Sequence, residues 1–320
     1  MQAVPRGVFA PVLTPFNAND GAPDRASFLN HCRWLVANGA GLALFGTNSE
    51  AASLSVGERI ELTDALIDSG VDASKLMPGT GACSITDAVT LTRHALSHQV
   101  PGVLVIPPFF FKGIGDDGLF AYYSELIERV GDERLSVYLY HIPQFSHAPI
   151  SLGLIERLLK RYPKSIAGAK DSSGNWDNTK AMIDNFASQG FAVFPASESF
   201  LSRALPLGAA GCISATVNMN PAGIRALYEG WSTPQGPALQ AQADRVRDIF
   251  QATAMIPAMK GVLANVSGLP SWAIVRPPLT QMEDVDTAIL MQNLSSAGWS
   301  MPGYAGVGST AKSTDGRVAA

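Results

Sequence analysis

Three short stretches of this 320-residue chain carry groups that could do chemistry together. In SIAGAKDSSGNW, Lys170 ends an apolar run of Ile166, Ala167, Gly168 and Ala169 and precedes the loop-like Asp171, Ser172, Ser173 and Gly174. In SVYLYHIP, Tyr140 stands near the end of a second apolar run, and GTNSE places Thr47 and Asn48 after a third. A lysine at a strand end is either a solvated charge, the commoner case for a lysine taken alone, or an amine held in a pocket. Burial disfavours an ammonium, and a neutral amine attacks a ketone to form an imine. The protonated imine is an electron sink for the neighbouring carbon-carbon bond, and a phenol such as Tyr140 can shuttle the protons. A hydroxyl and unpaired backbone N–H groups at a strand-to-helix turn suit a small carboxylate.

These groups can meet only if the elements that carry them end on one side of one sheet. Short apolar runs recur along the chain: VFAPVLT (8–14), LALFGT (42–47), LMPGTG (76–81), GVLVIPP (102–108), SVYLYHI (136–142), SIAGAK (165–170), FAVFPA (191–196) and AGCISA (210–215). A helical pattern follows each, as in DRASFLNHCRWLVANG, where Phe28, Cys32, Leu35 and Val36 form one stripe. Eight strand-helix units predict an α/β fold, a (β/α)8 TIM barrel with a C-terminal helical extension, ahead of a doubly wound sheet. The expected division is a catalytic barrel over residues 1–225, helices over 226–300 and a flexible tail over 301–320, which is small, polar and without period. The carboxyl ends of barrel strands converge on one mouth. Thr47, the residues from Pro107 to Phe111, Tyr140 and Lys170 would then share it.

Composition narrows the function classes. With 47% hydrophobic and 16% charged residues, a soluble globular protein is expected, and a net charge of -4 gives no basic surface for nucleic acid. No apolar run is long enough to span a membrane and the proline-broken start lacks a signal-peptide core, so a cytoplasmic protein is expected. Cys32, Cys83 and Cys212 are odd in number and far apart, and read as buried thiols. His94 and His98 stand four apart, a spacing that can bind metal. No HExxH surrounds them and their helix would lie outside the barrel, so a solvated face is favoured and no metal site is expected. His141 follows Tyr140, and strand alternation turns it away from the interior. PGTGACS lacks the third glycine of a dinucleotide fingerprint and suffices as a tight turn. Thr47 alone is most simply a helix N-cap, completed by Glu50 as a capping box.

The motifs carry a resemblance. GTNSEAASLSVGER resembles the GTTGE-type turn, YHIP the YNxP-type segment, and IAGAKDSSG the lysine segment of the dihydrodipicolinate synthase and N-acetylneuraminate lyase family of class I aldolases. PVLTPF and LGAAGCISATVN fit as well, so the likeness covers roughly residues 5–280. It implies that Lys170 forms a Schiff base with pyruvate or another 2-oxo acid, without metal or other cofactor. It implies Tyr140 as the proton-transfer phenol, Thr47 and Asn48 as holders of the pyruvate carboxylate, and Ile213 and Ser197 as part of the substrate-binding wall. It also implies a homotetramer or dimer of dimers.

The departures concern the second substrate. Where synthases of the family have TPYYN this chain reads PPFFF, placing Phe110 where a relay tyrosine crosses a subunit interface. The arginine expected two residues after the YNxP proline falls at Phe145. The acidic pair that sialic acid lyases use falls near Ser199 and Phe200. An acceptor side built from Phe109, Phe110, Phe111 and Phe145 favours an apolar or aromatic aldehyde, because a carboxylate or polyol would lose more on desolvation. The phenylalanines could equally be subunit interface. The alternatives are dihydrodipicolinate synthesis, a dehydratase using the same imine, and, in another class, a non-catalytic 2-oxo acid sensor.

Overall fold

The computed structural model describes residues 5–305. Among the described residues seven strands run parallel: β1 (Gly7–Ala10), β2 (Gly41–Leu42), β3 (Val103–Val105), β4 (Val137–His141), β5 (Ile166–Asp171), β6 (Ala192–Pro195) and β7 (Gly211–Ile213). They form two ladders, β2-β1-β7 and β3-β4-β5-β6. Residues 76–80 join them on one side. Met77 N–H donates to Leu42 O (2.8 Å) and Gly79 N–H to Leu44 O (2.7 Å), while Leu104 N–H donates to Pro78 O (2.9 Å). On the other side Ala210 N–H donates to Val193 O (2.9 Å) and closes the barrel. All eight expected segments are therefore present, but the third is an extended bridge and not a full strand, because Pro78 has no N–H to give a ladder.

The barrel interior is filled and not hollow. Phe9, Ala43, Met77, Leu104, Tyr138, Ala192, Phe194, Ala210 and Ile213 form one buried cluster, with Ala167 packed against it, so every segment contributes. Register decides what stands above this floor. Tyr138 pairs with Gly168 and Tyr140 with Lys170, so the second pair sits one inward-facing step nearer the mouth. Gly168 is needed where it stands: a Cβ there would lie 2.8 Å from the Tyr138 ring and against the Ala192 carbonyl.

Helices Arg25–Ala37, Val56–Asp68, Ile85–Ser97, Asp116–Val130, Leu152–Arg161, Trp176–Phe186 and Pro221–Gly230, with short turns from 201 to 207, cover the outside. Their starts are written in the sequence. Asp24, Ser84, Ser151 and Asn175 accept from first-turn N–H groups, and Ser55 with Glu58 makes a full capping box. Phe28, Cys32 and Leu35 are buried as the stripe requires. The expected barrel limit at 225 falls inside helix Pro221–Gly230, which packs on β1. Helices Gly236–Gln251, Met255–Ser267 and Asp284–Ser296 follow as the C-terminal extension.

The expected flexible tail begins too early. Asn30 Nδ2 donates to Ala305 O (2.7 Å), Trp34 Nε1 donates to Pro302 O (3.1 Å), and Tyr304 is buried against Trp34, so residues 301–305 are docked on the first helix. The rest of that tail, 306–320, lies outside the described residues. Cys32 and Cys212 are buried thiols, but Cys83 is only half-buried. Among the described residues no helix is long and apolar enough to cross a membrane.

Candidate active site

Lys170 and Tyr140 are neighbours across β4 and β5, and both are buried, Lys170 to 3% exposure. The lysine Nζ lies 4.2 Å from the centre of the Tyr140 ring, where the ring face attracts a cation. The Tyr140 hydroxyl is 3.0 Å from Thr47 Oγ1. Burial pulls the Tyr140 phenol upward, but the Lys170 charge and hydrogen bonding with Thr47, Lys170 and Ser172 together outweigh it, leaving the phenol more acidic than an ordinary tyrosine. A linear amine, phenol and hydroxyl thus stand at the carboxyl ends of three barrel segments. His141 and Asp171, the next residues on each strand, face the other way. His141 Nδ1 accepts from Ile150 N–H (3.0 Å), and Asp171 accepts from Thr179 Oγ1 (2.6 Å).

The turn that supplies Thr47 is held under strain. Phe45 and Glu50, on either side of it, have φ of 54° and 55°, a left-handed conformation that costs a side-chain-bearing residue about 1–2 kcal/mol. Thr14 Oγ1 donates to Ser49 O (2.9 Å), and Ser49 Oγ donates to Val12 O, tying the turn to the segment that follows β1. The capping box expected of Thr47 and Glu50 is absent. Thr47 makes no cap hydrogen bond, and its hydroxyl serves Tyr140 instead. Glu50 turns away and is buried, accepting from Lys260 Nζ (2.5 Å) and Arg276 N–H (2.9 Å). Lys260 is itself fully buried on helix Met255–Ser267, over the Phe16 ring, and burial holds it down at about 8 although Glu50 pulls it up. The extension thus anchors the turn that bears Thr47.

Ile213 ends β7 in the barrel floor, and Asn48 lies half-buried on the strained turn. Ser197 follows β6, where its hydroxyl accepts from Ser199 N–H (3.2 Å). Beside it a missed group, Glu198, is buried with Ser214, Thr216 and Arg247 (Nη1 3.1 Å from Oε2). Phe110, Phe111 and Phe145 stand on the loops after β3 and β4 with 74%, 63% and 62% of their surface exposed. So exposed, they do not enclose an acceptor pocket within one chain. Phe200 packs on Trp176 (5.6 Å between rings), with the Arg203 guanidinium over both.

The filled parallel barrel is a (β/α)8 architecture, and a buried lysine, a tyrosine and a threonine converging at its carboxyl-end mouth are its candidate site. The dihydrodipicolinate synthetase family model matches residues 4–297, and the chain belongs to that family. An uncharacterized DapA-like lyase of Chloroflexus aurantiacus is 35% identical over 293 residues, 90% of this chain and 95% of that one. The crystal structure of dihydrodipicolinate synthase from Agrobacterium tumefaciens superposes with a TM-score of 0.83 at 28% identity, covering 91% of this chain and 99% of the other. YagE, a prophage protein of the same family from E. coli K12 solved with pyruvate, has the same fold: TM-score 0.83, 24% identity, 93% and 100% covered. This chain is a lyase of that family.

Proposed function

We propose that this lyase is a class I aldolase that joins pyruvate, or a related 2-oxo acid, to Lys170 as an imine and makes or breaks a carbon-carbon bond to an apolar or aromatic aldehyde. The observation that carries the proposal is the contact chain from Lys170 to the Tyr140 ring (4.2 Å) and from the Tyr140 hydroxyl to Thr47 (3.0 Å). The Lys170 amine adds to the ketone carbon, a proton reaches the carbinolamine oxygen and water leaves. Loss of a C3 proton gives the enamine, whose carbon attacks the aldehyde. Hydrolysis then frees the product and the amine. The acidified Tyr140 phenol suits each proton transfer, and Thr47 orients it. Thr47 and Asn48 take the substrate carboxylate on the turn, Ile213 and Ser197 complete the wall, and the imine serves as the electron sink, so the reaction needs no metal or other cofactor.

Pyruvate bound in YagE supports the choice of 2-oxo acid. The exposed Phe110, Phe111 and Phe145 support an apolar acceptor, and Phe145 offers no guanidinium for the carboxylate that tetrahydrodipicolinate synthesis must hold. A second copy set against the Phe110–Phe111 pair, whose rings are 5.5 Å apart, would close the mouth in a homotetramer or dimer of dimers, in the cytoplasm. The test is a panel of aldehydes with pyruvate under steady-state conditions. Aromatic aldehydes are expected to give the highest kcat/KM. A clear preference for aspartate semialdehyde would reassign the chain as a synthase.

A further inference from the structure

On the outside of the barrel, far in the fold from the mouth, three metal-ligating side chains converge. His94 and His98 lie one turn apart on helix Ile85–Ser97, and Asp64 faces them from helix Val56–Asp68. Both histidine Nε2 atoms point at the same carboxylate oxygen, Asp64 Oδ1, at 2.8 and 2.7 Å. The three donor atoms all lie within 4.8 Å of one another. The rings are 4.9 Å apart and inclined at 78°, so they approach their common point from different directions. We propose that Asp64, His94 and His98 form a binding site for a borderline divalent transition-metal ion, of which zinc is the type, joining these two helices.

The donor set and the spacing both suit such an ion. Two imidazoles and one carboxylate favour zinc, cobalt or nickel over calcium or magnesium, which take oxygen ligands. Metal bonds of about 2.0–2.1 Å in a tetrahedral site place ligand atoms roughly 3.3 Å apart, so each histidine must back away from Asp64 by only about half an ångström. The histidines are half-buried and Asp64 keeps 44% of its side chain exposed, which gives room for that shift and leaves the remaining position to water. The protons balance: each neutral histidine gives up its Nε2 proton, carries one on Nδ1, and presents the Nε2 lone pair to the ion. The sequence pattern concealed the site because the acid comes from the preceding helix, thirty residues before His94.

The test uses the full-length, tag-free chain, stripped with chelator and titrated with cobalt(II) and then with zinc(II). Visible absorption of a four- or five-coordinate cobalt site should saturate at one equivalent, and zinc should displace it. Zinc at a hundredfold excess over Kd should raise the melting temperature by about 5 °C. His98→Ala and Asp64→Asn, at surface positions that do not touch the lysine site, should each weaken binding by at least about tenfold and abolish the thermal shift, with the circular dichroism of the native chain retained. Binding only at millimolar metal, absence of a saturating spectrum, or a spectrum unchanged in both variants would overturn the site.

Discussion

Replacing Lys260 with methionine removes the cation that keeps Glu50 satisfied inside the protein and keeps the side chain's length and apolar stem. The ammonium is 2.5 Å from the carboxylate, both side chains are wholly buried, and among the described residues the only other polar partner of the Glu50 carboxylate is the Arg276 N–H at 2.9 Å. Breaking a buried pair on one side leaves an uncompensated charge and costs about 3–5 kcal/mol. At roughly 2 °C per kcal/mol for a chain of this length, the melting temperature should fall by about 6–10 °C. The double variant Glu50→Gln, Lys260→Met removes both charges and should recover most of that loss, because the desolvation cost disappears with the pair. Differential scanning calorimetry of the three proteins reads the effect. The same change should raise KM for the 2-oxo acid more than it lowers kcat, since Glu50 fixes the turn that bears Thr47 and Asn48. A single variant melting within about 2 °C of the wild type and with unaltered KM would refute the idea that the extension clamps this turn.

Tyr140→Phe should still form imine but lose about 10²–10⁴-fold in turnover, measured by single-turnover kinetics, while Thr47→Val, which removes both the phenol's partner and a hydroxyl offered to the substrate carboxylate, should lose at least about tenfold. His31 is buried among Trp34, Trp272 and Tyr304, and burial, only partly offset by Asn218, lowers it to about 4 from an ordinary 6.5. Between those values the unfolded chain takes up a proton that the folded one refuses, so stability falls as pH drops from about 6.5 to about 4, by up to roughly 3 kcal/mol. Urea melts of the wild type and His31→Gln across that window should show a shallower pH slope for the variant. Gly168→Ala should disturb the strand that carries Lys170, since the added methyl meets Tyr138 and the Ala192 carbonyl. A loss of about 1–3 kcal/mol is expected in the same melts.

The parts of the site visible in the sequence are those that local pattern determines. Lys170 and Tyr140 end apolar runs in which alternation alone turns one set of side chains inward, and their pairing follows once the runs are laid parallel. Thr47 was visible as a strand-end turn residue, but its apparent capping role was not the one it has, because local rules prefer the nearest acceptor and cannot weigh a phenol 93 residues away. The role of Glu50 escapes local rules for the same reason, its partner lying 210 residues on. Lys260 did carry a signal: it sits within IPAMKGVLANVSG, an apolar setting much like that of Lys170. Glu198 is masked by its serine neighbours in ASESF, and its partners Ser214, Thr216 and Arg247 come from later elements. Of the fold, the alternation was sufficient for the barrel. Proline marks only some strand ends, as Pro11 does after β1, and the docking of residues 301–305 rests on Trp34 and Asn30, contacts that an aperiodic stretch does not announce.

On the proposed mechanism Lys170 is the imine-forming amine. Borohydride reduction of the native chain in the presence of pyruvate, followed by intact-mass measurement and peptide mapping, addresses it directly. A single reduced pyruvyl adduct on the peptide containing Lys170, absent from Lys170→Ala, is the expected result. An adduct placed on another lysine, or none with pyruvate or any other 2-oxo acid from correctly folded protein, would contradict it.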